Sequence, residues 1–423
     1  MTALKQIAIP CACVLALSLS LPARSNDLDA LDLEGKAPAE IPAKNSPTRI
    51  FVEGAAGRIS QRYGLSDLDS NRLSLDIKHQ SKLGENWRVA FSNRLDHLRP
   101  AGSGYPSTLN SVREAYVGWQ NEEATTLFEL GRVNWRYGTG YGYRPTDIFR
   151  DGSLRAVTTA DPLAQRENRL GTVMLRGQYI GSAGTVSLAY APKVATQPSR
   201  ERFSFDAGST NNRDRAVLSY SFKSSDRLNG QVLVAYDEIR GTQFGINGTA
   251  LVSDALVAHG EWLRGKDQLL VGSAPGSALQ RDTRDRAVLG LTYAGPHKIS
   301  LTAEYQYNGF APTQAQWSQL TALGPVGTAN FLLETQRRQE IASRGAYLFY
   351  LTQRSFIQQN LDLTALLRVN AQDHSRLAWV ELRYRASQFD IAVQYQVTGG
   401  GLKTEYGILP YRQAVQLLGA YYF

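Results

Sequence analysis

Through most of this chain apolar side chains recur at every second position, in runs of about ten residues broken by turn formers, and that period belongs to β-strands with one apolar and one polar face. The clearest runs lie in the C-terminal half: Ala287, Leu289, Leu291 and Tyr293; Ile299, Leu301, Ala303, Tyr305 and Tyr307; Leu361, Leu363, Ala365, Leu367 and Val369; Phe389, Ile391, Val393, Tyr395 and Val397. Earlier segments repeat the pattern. The first runs from Arg49 to Tyr63, the fifth from Thr125 to Trp135, the tenth from Ala250 to Trp262, and a short eleventh from Gln268 to Val271. Counted to the end, the segments number about 18. Strands with one oily face and one wet face, too many for a single open sheet, point to an all-β chain whose antiparallel strands close into a transmembrane barrel.

The connections support the count. Bacterial barrels have an even number of strands, short turns on the periplasmic side and longer outer loops. Here the even-to-odd connections read KLGEN, QNEEA, GSAG, SSDRLN, RGKD, AGPH, SFIQQN and SQ. The two longest connections then fall on the outer side as the third and the seventh. In the seventh, Gln314 to Leu323 and Asn330 to Ile341 read as short helices.

The N-terminus carries Lys5, an apolar run from Ile7 to Leu21 and an Ala23-x-Ser25 cleavage site, which predicts a signal peptide over 1–25. A Pro/Ala-rich stretch over 26–48 follows as a flexible periplasmic tail, and the barrel occupies 49–423. Both cysteines, Cys11 and Cys13, fall in the leader, so the exported chain has no thiol. Beyond the leader no apolar run reaches the ~18 residues of a membrane helix. Removing Lys5 and Arg24 takes the net charge from +8 to +6, too diffuse for nucleic acid. No cofactor or metal is expected: His97, His259, His297 and His374 show no ligand spacing, and GTGYG at Gly138–Gly142 lacks the helix and Lys of a phosphate loop.

The third outer connection, from Gly131 to Arg169, is the densest mixture of Arg, Asp, Gly and aromatics in the chain. A connection this long in a compact domain has work to do. Folded inward, it would set the width and charge of a passage through Arg132, Arg136, Arg144, Arg150 and Arg155, with Asp147 beside them. Alternatively it is an ordered loop braced by its own ion pairs. Trp135, Tyr141 and Tyr143 could stack on sugar rings or pack the loop.

On the strands, alternation places Arg88, Arg94, Arg176, Arg368, Arg383 and Arg385 in the lumen. The clearer strands give twelve basic residues against seven acidic ones, which predicts a positive lumen unless the charges pair across it.

At the C-terminus, Val415, Leu417, Gly419, Tyr421 and Phe423 share one strand face. This resembles the signal by which the barrel assembly machinery of Gram-negative outer membranes recognises its clients. With the leader, the strand rhythm, GRVNWRYG at Gly131–Gly138 and the PTDIFR that follows, the chain is similar to the alginate-export-type and related porin-like channels. That resemblance implies an outer-membrane setting among lipid and lipopolysaccharide, a barrel that needs no partner chain, and an electropositive constriction at Arg132, Arg136, Arg144 and Arg150 that Asp147 tunes or braces. The expected function is passive passage of small or polymeric anionic solutes, organic acids or acidic saccharides. The alternative is a surface barrel that anchors a polysaccharide without transport. No enzyme is expected; the one candidate pair, His79 and Ser81, sits on the lipid face of the second strand at its periplasmic end.

Overall fold

The computed structural model describes residues 46–100, 106–273, 280–322 and 324–423. The leader over 1–25 and the tail up to residue 45 lie outside the described residues. The first strand has already begun at Thr48.

Eighteen antiparallel strands form one closed sheet. They are β1 (Thr48–Gln61), β2 (Leu68–Leu83), β3 (Trp87–Arg99), β4 (Thr108–Gln120), β5 (Thr126–Val133), β6 (Thr172–Gly181), β7 (Gly184–Ala191), β8 (Arg215–Ser225) and β9 (Leu228–Asp237). The second half comprises β10 (Gly241–Ser253), β11 (Leu256–Gln268), β12 (Arg281–Gly295), β13 (Ile299–Asn308), β14 (Gly345–Gln353), β15 (Leu361–Asn370), β16 (Arg376–Arg385), β17 (Phe389–Gly399) and β18 (Tyr411–Tyr422). Each strand pairs with the next, and β18 returns to β1 in a register running from Phe51↔Tyr422 to Gln61↔Tyr411. No edge is left open, which removes the hazard of unpaired backbone on a sheet of this size.

The strand count agrees with the alternation, but two placements need correction. The tenth strand is Gly241–Ser253, and the eleventh runs over Leu256–Gln268. The expected span from Ala250 to Trp262 straddles the turn at Asp254 and Ala255, and RGKD lies within β11. The outward positions of β10 are Thr242, Phe244, Ile246, Gly248 and Ala250, where only Phe244 and Ile246 are large and apolar, so the run that would mark a strand is short. The fifth strand also ends at Val133, two residues early, so Trp135 belongs to the loop.

Side chains are sorted as the period demands. On β12, Leu289 is 70% exposed while its neighbour Val288 is 1% exposed, and the same contrast recurs around the sheet. Aromatics collect at both ends of the outward face. Trp87, Phe128, Tyr179, Tyr293 and Phe389 stand beside the short turns, and Tyr190, Tyr236, Phe244, Tyr305 and Tyr347 stand near the opposite rim. Two such girdles flanking an apolar band mark a barrel that meets a bilayer. No helix among the described residues is long and apolar enough to cross a membrane.

The long connections share one end of the barrel. The third (134–171) contains α1 (Pro162–Glu167), and the fourth (192–214) contains the one-turn α2 (Ala207–Thr210). The seventh (309–344) contains α3 (Gln314–Ala322) and α4 (Gly324–Arg337), the latter starting six residues before its expected position. Beneath the third connection, Trp135, Tyr137, Ile148 and Phe149 pack on small inward residues of β7–β9, including Ala189, Ala191, Val217 and Ala235. The third connection therefore folds into the barrel, against one side of it.

Candidate functional site

The fold of the third connection is set by its glycine-rich tip. Gly138 has φ +86°, open to glycine at little cost, and a Cβ there would lie 2.5 Å from Glu261. With side chains absent, backbone amides can converge on the wall. Gly140 donates its N–H to Glu261 Oε1 at 2.6 Å; Thr146 donates its N–H (3.1 Å) and hydroxyl (2.7 Å) to Oε2. Tyr141 and Gly142 donate their N–H groups to the two oxygens of Glu304, the latter at 3.0 Å. His259 Nε2 lies 3.0 Å from Glu304 Oε1, and Arg368 donates to the Gly142 carbonyl at 3.1 Å. Successive amides in such a turn form an anion-binding concavity. Here the anions are two carboxylates of the barrel's own wall, on β11 and β13.

The predicted site residues divide sharply. Arg132 is fully buried, lies 3.8 Å over the Phe205 ring and donates to the carbonyls of Val112 and Asp206. Arg155 is ion-paired with Asp206 of the fourth connection at 3.2 Å. Arg144 donates to the Tyr141 carbonyl, and Arg150 to Glu340 of the seventh connection at 2.7 Å. Asp147 takes Arg169 at 2.5 Å. Trp135 packs edge-on to Tyr137 under the Arg176 guanidinium, and the Tyr143 hydroxyl donates to Glu340. All of these are buried. The expectation that Arg132, Arg144, Arg150 and Arg155 line a wet constriction is therefore corrected: they are spent on carbonyls and carboxylates of β4 and of the third, fourth and seventh connections, and Trp135 and Tyr143 offer no free face to a sugar. Arg136 and Tyr141 remain half-buried, Arg136 paired with Glu167 at 3.3 Å and Tyr141 set against His259 and Tyr350.

The third connection packs on the wall from β7 to β16, with Leu163 against Leu348, Tyr350, Leu366 and Trp379, and touches β4 and β6, where Arg113 donates to Asn168 and Arg176 lies over Trp135. Toward the gap that it leaves free in the lumen, the loop carries the half-buried Arg136, Gln165 and Glu167. The wall opposite is a ladder of ion pairs. Arg72 and Arg94 share Glu53 at 2.7 Å, Arg113 holds Asp76, Arg88 and Arg176 share Glu129, Arg383 pairs with Glu381, and Arg385 pairs with Asp362. The lumen excess read from sequence is accordingly smaller, because Glu53, Asp96, Glu129 and Asp267 were not in the count and each meets an Arg. Exposure within the pairs is nonetheless unequal. The side chains of Arg88 and Arg176 are 38% and 15% exposed over a Glu129 at 3%, and Arg383 and Arg385 are 16% and 22% exposed over an Asp390 at 1%. At Glu129 and Asp390 long guanidiniums therefore cap short buried acids, whereas Glu53 is more exposed than Arg72 and Arg94, and Glu381 and Asp362 are nearly as exposed as their partners.

Sequence reasoning missed Glu261 and Asp206. Glu261 was hidden by the misplaced tenth and eleventh strands. Asp206 lies in a fourth connection that showed no pattern, yet its carboxylate takes the Ser199 N–H, the Ser209 hydroxyl and Arg155. His79 Nε2 lies 3.0 Å from Ser81 Oγ, as the spacing allows, but its other nitrogen meets the Thr48 hydroxyl at 2.8 Å. A hydroxyl in that place does not stabilise an imidazolium as a carboxylate would. Among the described residues no three His, Cys, Asp or Glu side chains are grouped to hold a metal.

No family model and no curated protein matches the sequence. Solved structures do match the fold. OccAB1 of Acinetobacter baumannii aligns with a TM-score of 0.59 and 11% identity over 91% of this chain and 99% of its own. OpdQ of Pseudomonas aeruginosa aligns at 0.55 and 9% identity over 90% and 99%. OccAB2 of Acinetobacter baumannii aligns at 0.54 and 9% identity over 89% and 98%. The likeness is to 18-stranded outer-membrane porins and lends no particular support to the alginate-export type, so what the chain shares with these proteins is the closed porin barrel.

Proposed function

We propose that this barrel is an outer-membrane, porin-type channel that passes small anionic solutes, carboxylates above all, through the part of the lumen that its third connection leaves free. The observation that carries this reading is the unequal exposure at two clusters of the wall, where Arg88 and Arg176 cover Glu129, and Arg383 and Arg385 cover Asp390. A passage with guanidinium edges toward water favours anions and can fork onto a carboxylate. The constriction moves accordingly from the loop's own arginines to Arg136 and the opposite wall. The likeness to outer-membrane porins supports the channel.

On this reading a single chain completes the pore, lipid and lipopolysaccharide surround the girdled face, and Phe423, 77% exposed, is the handle for the assembly machinery. Planar-bilayer recording tests it. Ohmic steps with a reversal potential on the anion side in a salt gradient are expected; a silent bilayer with correctly folded protein overturns the channel, and cation preference overturns the solute class.

A further inference from the structure

Behind the third connection, on the side away from the gap, it meets the seventh connection and the wall of β8–β12. A partly open cavity of about 10 Å³ lies there, lined by Arg150, Arg240, Gln243, Arg286 and Arg338 and by the carboxylates Asp147 and Asp151. Free space of this size admits one water-sized particle and no polyatomic anion.

The charges around it do not balance. Four acids serve the region: Asp151, Asp237, Asp267 and Glu340. Asp267 Oδ2 takes Arg240 at 3.1 Å, Arg338 at 2.5 Å and Arg286 as well. Asp151 takes Arg213 at 2.9 Å and Arg240 at 2.7 Å. Glu340 takes Arg150 and Arg286, and Asp237 takes Arg213. Arg215 is buried beside them against the Phe149 ring and donates only to the carbonyls of Ile148 and Thr210. Six guanidiniums thus face four carboxylates. Arg337 also reaches Asp151 but brings its own counter-ion, Glu334, at 2.7 Å. A buried surplus of about two positive charges costs several kcal/mol unless something answers it.

Two donors lining the cavity are also unanswered. The Gln243 amide nitrogen and Arg338 Nε are buried and meet no acceptor, although Gln243 is 1% exposed and Arg338 6%. Neither group can do anything but donate. We propose that the cavity holds one monatomic anion of chloride size, bound by Gln243 and Arg338 with Arg150, Arg240 and Arg286 around it. A water molecule would bring two hydrogens of its own. Of the carboxylates at the cavity edge, Asp147 is held by Arg169 and Asp151 Oδ2 by Arg213 and Arg240, while Asp151 Oδ1 lies 3.1 Å from Arg337 without a hydrogen bond. A halide accepts from every donor and removes a charge. The ion is a fixture of the loop junction, not a permeant solute, and a protein that conducts nothing would still hold it.

The test uses the purified full chain in detergent. Thermal unfolding in sodium chloride, compared with sodium gluconate at equal ionic strength, should show a midpoint that rises and saturates with chloride. Crystals grown in sodium bromide should show an anomalous peak between Gln243 and Arg338. The chloride-dependent rise should shrink at least severalfold in Gln243→Leu, and Arg338→Met is the second variant should the first not fold. A cavity holding only water or nothing in bromide overturns the proposal. So does a chloride effect that both variants leave unchanged.

Discussion

Glu261 and Glu304 on the covered wall, and Glu129 and Asp390 on the open wall, are all shut away from water. They differ in what they hold. The first two accept backbone amides of the third connection, and that places the loop; the second two accept guanidiniums whose outer edges stay wet, and that charges the gap. One residue type on one barrel thus does two jobs, and the partner decides which. An acid that meets an amide becomes an anchor, and an acid that meets a long cation becomes the floor of a positive surface.

The sharpest way to break this contrast is to remove the anchors. Glu261→Ala with Glu304→Ala deletes the charged acceptors of five hydrogen bonds from the loop, an anchoring loss of about 3–6 kcal/mol. Larger, noisier single-channel currents and new protease cleavage within 138–146 are expected; unchanged currents would mean the tip is held by something else. Gly142→Ala acts in the same direction and less strongly, since its Cβ would come within 2.5 Å of Gln306 Nε2 and 2.6 Å of Leu348, at a cost of about 1–3 kcal/mol.

The open wall is tested by Arg88→Ala with Arg176→Ala, which uncovers Glu129. The reversal potential should move toward cation preference by an amount equal to a severalfold loss of anion selectivity. Arg136→Ala should do so more weakly, because Glu167 already offsets it. Arg144→Ala should leave selectivity unmoved, since its head is buried on the Tyr141 carbonyl; a shift equal to that of Arg136→Ala would erase the distinction drawn between the two.

The smallest expected effect depends on pH. In the last outer connection, burial and the neighbouring Asp373 carboxylate push Glu405 up to about 7, against the opposing pull of Arg368. A carboxyl whose folded value lies above its unfolded one binds its proton more tightly in the fold. Its contribution is intact below about 4.5 and is lost as pH rises through about 7, a change of up to about 3 kcal/mol in local stability. Hydrogen-exchange protection over 400–410, corrected for the intrinsic rise of amide exchange with pH, should fall across that window, and Glu405→Gln should flatten the corrected profile.

The alternation made the barrel legible because lipid on one side and water on the other act on every strand alike. It failed where the outward face was thin in large apolar residues, as along Thr242, Gly248 and Ala250 of β10, and that misplacement hid Glu261. The loop's Arg content was plain, but its use was not. Whether Arg150 faces water or Glu340 is decided by a residue 190 positions away, and no local pattern carries that. The GTGYG segment lacks the helix and Lys of a phosphate loop, yet its amides do seek an anion, one supplied by strands far along the chain.

The seam between β1 and β18 has a consequence for how the molecule is made. β1 finds its second neighbour in β18, the strand farthest from it in sequence, so until that pair is made the sheet carries two raw edges, Thr48–Gln61 and Tyr411–Tyr422. This seam is the least local pairing of the barrel, and such pairings are intrinsically slow to form. A polypeptide cut short before Tyr411 would lack the strand that mates with Thr48–Gln61, and would expose an adhesive border to every other copy emerging beside it.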